Sequence, residues 1–308
     1  MKTSPVTRSR VNRVETGFPK LDEMLEGGLP QKTITLLSGA CGTGKSTFAM
    51  QFLYHGAKYC NEPGVYVTLE ETPESLVNNM TLFGWDLDAL IKQKKIVVLK
   101  PEMYKFESLK QIISDAIDRI GAKRLVVDSY SVLLTYFSDP YQIRNGLVQL
   151  DREIKKMGCT ALVISDTTDN ATIFSTTGVE EFIVDGVIVV SLIKDPQQPY
   201  FWQRAVEVRK MRATHHPLSF YRFDITPKGI EIGGVLKGAA PAAEEARKKP
   251  GRRKKARLKK LKAPRRKAAA NAKAQAVKSE TPSVQGSDKI DISSLRARGQ
   301  HSWKWKHL

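Results

Sequence analysis

Residues 34–48 read Ile34-Thr35-Leu36-Leu37-Ser38-Gly39-Ala40-Cys41-Gly42-Thr43-Gly44-Lys45-Ser46-Thr47-Phe48. A β-branched and aliphatic run ends in G-x-x-x-x-G-K-S, and Phe48-Ala49-Met50-Gln51-Phe52-Leu53 follows with helical apolar spacing. Strand, glycine-rich turn and helix in that order form a phosphate cradle. Gly39, Gly42 and Gly44 allow backbone turns denied to other residues and a close approach to a ligand. Successive N–H groups and the helix N-terminus then face phosphate oxygens. Lys45 is expected to reach the β- and γ-phosphates, and the Ser46 hydroxyl to ligate Mg²⁺. Gly39, Gly42, Thr43, Gly44, Lys45, Ser46 and Thr47 are the expected phosphate contacts. Cys41 reads as a small loop residue, not a nucleophile.

The 308 residues allow one large α/β domain plus extensions. Three scattered cysteines (Cys41, Cys60, Cys159) suit neither a disulfide framework nor a zinc site, and a reducing cytoplasm is the simplest setting. The start of the chain is basic and lacks the apolar core of a signal peptide. No apolar run approaches the roughly 18 residues of a membrane span. The net charge of +18 is uneven: from Gly238 onward there are 21 Lys/Arg against 5 Asp/Glu, and before it 29 against 27. A near-neutral folded part and a basic tail suggest two jobs on one chain.

Outward from the phosphate loop, the chain reads as alternating strands and helices. Strands are expected at Val65–Leu69, Ile96–Leu99, Leu125–Val127 and Ala161–Ile164. Helices are expected from Thr72-Pro73 to Phe83, over Phe106–Ile120 and over Tyr141–Met157. This alternation predicts an α/β fold with a mostly parallel sheet flanked by helices. Four closely spaced strands follow, at Val187–Leu192, Ala205–Val208, Phe220–Phe223 and Ile230–Ile232, read as a C-terminal antiparallel extension. The expected organisation is a flexible arm over 1–13, the folded domain over 14–237, and a basic, disordered tail over 238–308. The tail is too poor in large apolar residues to offset its ordering entropy.

Hydrolysis needs more than the loop. Asp128 ends an apolar strand, where open α/β sheets place ligands, and is expected to hold Mg²⁺ through a water; capping the next turn is the other reading. Glu70 and Glu71 follow Val65–Leu69. Either could polarise an attacking water, or both could be solvated acids favouring the helix start behind them.

Longer motifs carry a resemblance: Thr16-Gly17 with Leu21-Asp22, Leu25 and Gly27-Gly28-Leu29-Pro30; Gly39 to Thr47; Pro63-Gly64-Val65-Tyr66-Val67-Thr68-Leu69-Glu70-Glu71-Thr72-Pro73; Phe83-Gly84-Trp85-Asp86-Leu87; Gly178-Val179-Glu180-Glu181-Phe182; and Lys210-Met211-Arg212-Ala213-Thr214 with His216. From about residue 14 to 235 the chain resembles the KaiC/RadA branch of RecA-superfamily P-loop ATPases, KaiC domains above all. The resemblance implies a RecA-like fold, ATP and Mg²⁺ as cofactors, and Lys45, Glu70 and Glu71 as catalytic residues. It implies a homo-oligomeric ring, often a hexamer in the family, with ATP between neighbours. It also implies that Lys210 and Arg212 reach the γ-phosphate of the next subunit, with Thr214 and His216 as nearby nucleotide contacts. Without the resemblance, Arg209 to Arg212 reads as a solvated basic patch. Three departures stand out: one domain where KaiC has two, Ala213 where the family has glycine, and the basic tail.

The loops expected to line a ring channel, Tyr130–Asp139 and Asp166–Gly178, contain no Lys or Arg. A phosphate backbone needs cations along its path, so a DNA-motor role is disfavoured. Arg247–Lys267 holds 14 basic residues in 21 with no acid, a composition suited to salt-sensitive, non-specific nucleic-acid binding; a solubilising tail is the alternative. The terminal His301-Ser302-Trp303-Lys304-Trp305-Lys306-His307-Leu308 could stack on bases or engage an unknown protein partner. The leading expectation is an ATP-hydrolysing ring switch. The alternatives are a RadA-type repair ATPase and a non-catalytic nucleotide-bound scaffold.

Overall fold

A computed structural model describes residues 11–102, 106–137, 139–167, 173–195, 198 and 200–236. Residues 1–10, the tail from 237 onward and the centre of the Asp166–Gly178 loop lie outside them, and with them the expectations for most of the arm, the basic run and the terminal Trp/Lys stretch.

The elements are β1 (Arg13–Val14), α1 (Pro19–Met24), β2 (Leu29–Pro30), β3 (Ile34–Gly39), α2 (Lys45–Tyr59), β4 (Gly64–Thr68), α3 (Pro73–Met80), α4 (Leu87–Lys92), β5 (Ile96–Leu99), α5 (Phe106–Ile120), β6 (Arg124–Asp128), α6 (Tyr130–Leu133), α7 (Pro140–Lys156), β7 (Thr160–Asp166), α8 (Glu180–Ile183), β8 (Gly186–Lys194), β9 (Trp202–Met211), β10 (Tyr221–Thr226) and β11 (Gly229–Val235). Local chemistry sets many boundaries. Thr72 accepts the Ser75 N–H at the head of α3, Asp86 the Ala89 N–H at α4, and Asp139 the Tyr141 and Gln142 N–H groups at α7. Proline occupies the first turn of α1, α3 and α7, where its missing N–H costs nothing.

Nine strands form one sheet in the order β11-β10-β9-β8-β3-β7-β6-β4-β5. From β8 to β5 the neighbours are parallel; β9, β10 and β11 add antiparallel strands. This corrects one expectation. The Val187–Leu192 segment, β8, pairs parallel to β3, so the antiparallel extension begins only at β9. The short α8 supplies the crossover and was not read from the sequence, because four residues carry no helical period. Arg13 also departs from the arm reading: it pairs with Pro30 in a small β1–β2 ladder, and its guanidinium bonds to Glu26, Gly28 and Thr214.

Strand alternation splits the core between the two sheet faces. Leu37 and Tyr66 pack with α1, α2, α3 and α4 on one side, while Ile34, Leu36, Val65 and Val67 pack with α5, α6 and α7 on the other. Helix α2 is buried along most of its length by Phe48, Ala49, Phe52, Leu53 and Ala57. Arg124, fully buried at the foot of β6, is held by Glu62 (Nε to Oε2 2.7 Å) and by the Phe52 carbonyl at 2.7 Å. The consequence for function is positional: the C-terminal ends of β3, β4, β6 and β7 converge on one edge, beside the start of α2.

Candidate nucleotide site

The glycine-rich loop leaves β3 at Gly39, where a Cβ would sit 2.3 Å from the Val190 carbonyl oxygen of the neighbouring strand. Gly42 and Gly44 take positive φ of 77° and 98°, and nothing lies within 4 Å of a Cβ placed on Gly42. That open, left-handed turn is the geometry of an anion cradle. Thr43 is buried and its hydroxyl donates to the Ala40 carbonyl at 2.8 Å, bracing the loop from inside. Thr47 lies half-buried in the first turn of α2.

Lys45 is only 8% exposed. Its ammonium donates to the Ala40 carbonyl at 2.9 Å and faces Asp166 Oδ1 at 3.1 Å. A buried cation held by one carboxylate and one loop carbonyl fits phosphate oxygens as replacement partners. The Ser46 hydroxyl donates to Asp128 Oδ2 at 2.9 Å, joining the loop to the end of β6. A hydroxyl and a carboxylate so placed are the oxygen donors that Mg²⁺ takes.

One further residue completes this corner. Tyr66, fully buried on β4, donates its hydroxyl to the same Asp128 oxygen at 2.6 Å. Burial pushes the Asp128 carboxyl above its ordinary value. The hydrogen bonds from Tyr66 and Ser46 oppose that rise, and the negative charges of Glu70 and Asp166 add to it. Burial beside Asp128 also drives the Tyr66 phenol well up, so it remains a donor.

Glu70 and Glu71 are both exposed at the end of β4, but they part company. Glu70 Oε1 accepts from Ser129, the residue after Asp128, at 3.2 Å. Glu71 Oε1 accepts instead from Asn79 on α3, at 3.3 Å. The Glu70 carboxylate therefore leans toward the Ser46–Asp128 corner, and the Glu71 carboxylate leans toward a helix.

Lys210, Arg212, Thr214 and His216 do not join this site in their own chain. Met211 pairs with Gly186, and Gly186 lies beside Thr35, four residues before Gly39. At about 3.3 Å per residue, that is roughly 13 Å down the sheet from the phosphate loop. Lys210 donates to the Val184 and Glu181 carbonyls at 2.6 and 2.9 Å, and burial together with the nearby Arg212 charge pulls its pKa down. Arg212 pairs with Asp185 at 3.0 Å but keeps 53% of its side chain exposed. Thr214 accepts from Arg13 at 2.9 Å, and His216 contacts the Pro217 carbonyl.

Sequence reasoning missed Tyr66, Ser129 and Asp166 as members of the site. Asp166 could have been found, since it ends an apolar strand just as Asp128 does. Tyr66 could not, because a tyrosine inside an apolar strand looks like any other core residue.

The family model described as "ATPase: KaiC" matches residues 14–236. A UPF0273 protein of Methanocaldococcus jannaschii is 38% identical over 239 residues, covering 72% of this chain and 96% of its own length. The circadian clock oscillator protein KaiC of Prochlorococcus marinus is 34% identical over 233 residues, 72% of this chain but 46% of its own length. The chain thus spans just under half of that relative. The crystal structure of a KaiC-like protein from Pyrococcus horikoshii OT3 superposes with a TM-score of 0.67 at 38% identity, covering 73% of this chain and 100% of that one.

Proposed function

This chain belongs to the KaiC family of ATPases, and we propose that it binds ATP with Mg²⁺ at the 39–47 loop and hydrolyses it slowly, as a switch. The observation that carries the reading is the Ser46–Asp128–Tyr66 corner: a hydroxyl and a carboxylate meet at 2.9 Å beside an open anion cradle, and a buried phenol fixes the carboxylate. Mg²⁺ held there would neutralise charge on the β- and γ-phosphate oxygens.

The chain's own residues supply the rest. Loop N–H groups and Lys45 bind the phosphates. Lys45 exchanges its Asp166 and Ala40 partners for phosphate oxygens, so the charge is already desolvated when substrate arrives. Glu70 is the residue assigned to orient water and accept its proton, because its carboxylate is tethered to Ser129 next to the metal-side acid. Glu71 has the lesser part and shapes the start of α3. Lys210 and Arg212 lie too far from their own phosphate loop to serve it, which supports the reading that they serve a neighbour's in a ring. Among the described residues no helix is long and apolar enough to cross a membrane. The 247–267 run is assigned to non-specific nucleic-acid tethering through its charge.

The test is phosphate release by the purified full chain at two salt concentrations, with and without DNA or RNA. Glu70→Gln is expected to lower the rate by about 10²–10⁴ with nucleotide binding retained, and Glu71→Gln by far less. A slow wild-type rate unchanged by nucleic acid fits a tethered switch. Several-fold, salt-sensitive stimulation would instead bring the repair-ATPase reading forward. Undiminished turnover in Glu70→Gln would sink the assignment of the base.

A further inference from the structure

The far end of α2 carries a second cluster of ligating side chains. His55 lies near the end of the helix and Cys60 is its C-cap residue; Glu15 comes from the segment between β1 and α1. Glu15 Oε2 is 3.1 Å from His55 Nε2 and 3.9 Å from Cys60 Sγ. The ligand atoms of all three lie within 4.8 Å of one another, and among the described residues no other group of three His, Cys, Asp or Glu side chains comes together this way.

We propose that Glu15, His55 and Cys60 form a binding site for a divalent transition-metal ion of the Zn²⁺ class, with one coordination position left open. Tetrahedral zinc with bonds of about 2.0–2.3 Å sets its ligand atoms roughly 3.3–3.6 Å apart. The three atoms reach that arrangement by moving about 1 Å. One nitrogen, one sulfur and one oxygen exclude Mg²⁺ and Ca²⁺, which take oxygen cages, and favour zinc or its neighbours.

The charges around the cluster agree. A carboxylate and a thiolate cancel the two charges of the ion. The Arg124 guanidinium, which approaches Cys60, is paired with Glu62. The Lys58 ammonium is turned away over the Tyr54 and Tyr59 rings. Asp22 Oδ1, in the lining of the same cavity, is taken by the Thr16 N–H and hydroxyl at 2.8 and 2.7 Å. Glu15 and His55 also line a surface cavity of about 420 Å³, which gives the open position room for water or a small anionic ligand.

The site is remote from the phosphates: α2 runs 15 residues from Lys45 to Tyr59, about 20 Å at the helical rise. A metal here would pin the segment after β1 to the helix whose first turn cradles phosphate. It would therefore raise thermal stability without entering the reaction.

The experiment uses the metal-free full chain with excess Mg²⁺ occupying the oxygen site. It is titrated with Co²⁺ as a spectroscopic probe and then with Zn²⁺. One equivalent should bind, with thiolate-to-cobalt charge-transfer absorption that Zn²⁺ displaces, and Zn²⁺ should raise the melting temperature. Cys60→Ser should abolish the absorption and weaken binding about tenfold or more, while Cys41→Ser changes neither. If Cys60→Ser fails to fold by circular dichroism, Glu15→Gln at an exposed position serves instead: the absorption stays and the affinity falls. Uptake no tighter than about 0.1 mM, absorption that survives Cys60→Ser, or absorption lost in Cys41→Ser would each overturn the proposal.

Discussion

Replacing Tyr66 by Phe removes a single buried hydroxyl and leaves the ring in place. That hydroxyl is one of two donors to Asp128 Oδ2, at 2.6 Å, the other being Ser46 at 2.9 Å. A hydrogen bond to a charged partner contributes about 1.5–3 kcal/mol, and loss of an outer partner of a metal ligand costs about 10–100-fold in metal affinity or activity. The two scales agree, since tenfold corresponds to about 1.4 kcal/mol. Tyr66→Phe is therefore expected to move the Mg²⁺ midpoint for ATP hydrolysis up by about 10–100-fold, with little change in metal-free nucleotide binding. Burial already pushes the Asp128 carboxyl up, and Tyr66 opposes that rise. The acid limb of the rate profile should consequently move to higher pH in the variant. The assay is phosphate release against Mg²⁺ concentration at several pH values, with folding checked by urea denaturation. A folded Tyr66→Phe with an unchanged Mg²⁺ midpoint and an unchanged acid limb would rule out the phenol as the group that positions the metal-side acid.

Arg124→Leu strands Glu62 and removes the bonds that tie β6 to α2. It should cost about 3 kcal/mol, near the lower end of the range for breaking a buried pair because Glu62 is partly exposed, read as a lower urea midpoint. Gly39→Ala drives a methyl to 2.3 Å from the Val190 carbonyl. Backbone cannot swing aside as a side chain does, so the loss should reach or exceed about 3 kcal/mol; a soluble variant of wild-type stability would contradict the β3–β8 register. Asp128 couples the stability of the fold to pH. A folded-state pKa above the unfolded value means that the folded protein holds the proton more tightly, so the ionised carboxylate destabilises the fold at neutral pH and that penalty fades as pH falls through the raised value. Asp128→Asn should accordingly be the more stable protein at pH 7 without metal, lose that advantage on acidification, and fail to hydrolyse ATP; parallel urea melts across pH test it.

Much of the site was legible in one dimension. The loop from Gly39 to Thr47 is contiguous, and its function depends on backbone freedom at fixed spacing, which residue types alone declare. Asp128, Glu70 and Glu71 stood out as candidates because strand ends carry ligands in this class of sheet. Helix ends were legible where a side chain caps them locally, as Thr72 and Asp139 do. Strand direction was not: β8 is parallel because α8 carries the chain back across the sheet, and a run of alternating apolar residues has the same appearance in either direction.

The class of fold was written in the sequence, because the phosphate-loop pattern and the alternation of strand and helix reside in short stretches of bonded neighbours. Which of the distant side chains meet is set by the folded chain. It brings Tyr66 and Ser46 to one oxygen of Asp128, separates Glu70 from Glu71, and sets Lys210 and Arg212 at the opposite end of the sheet. It also gathers Glu15, His55 and Cys60. The physical reason is range. Hydrogen bonds and metal coordination act over about 3 Å, and residues far apart in the chain come that close only when hydrophobic burial has fixed the order of the strands.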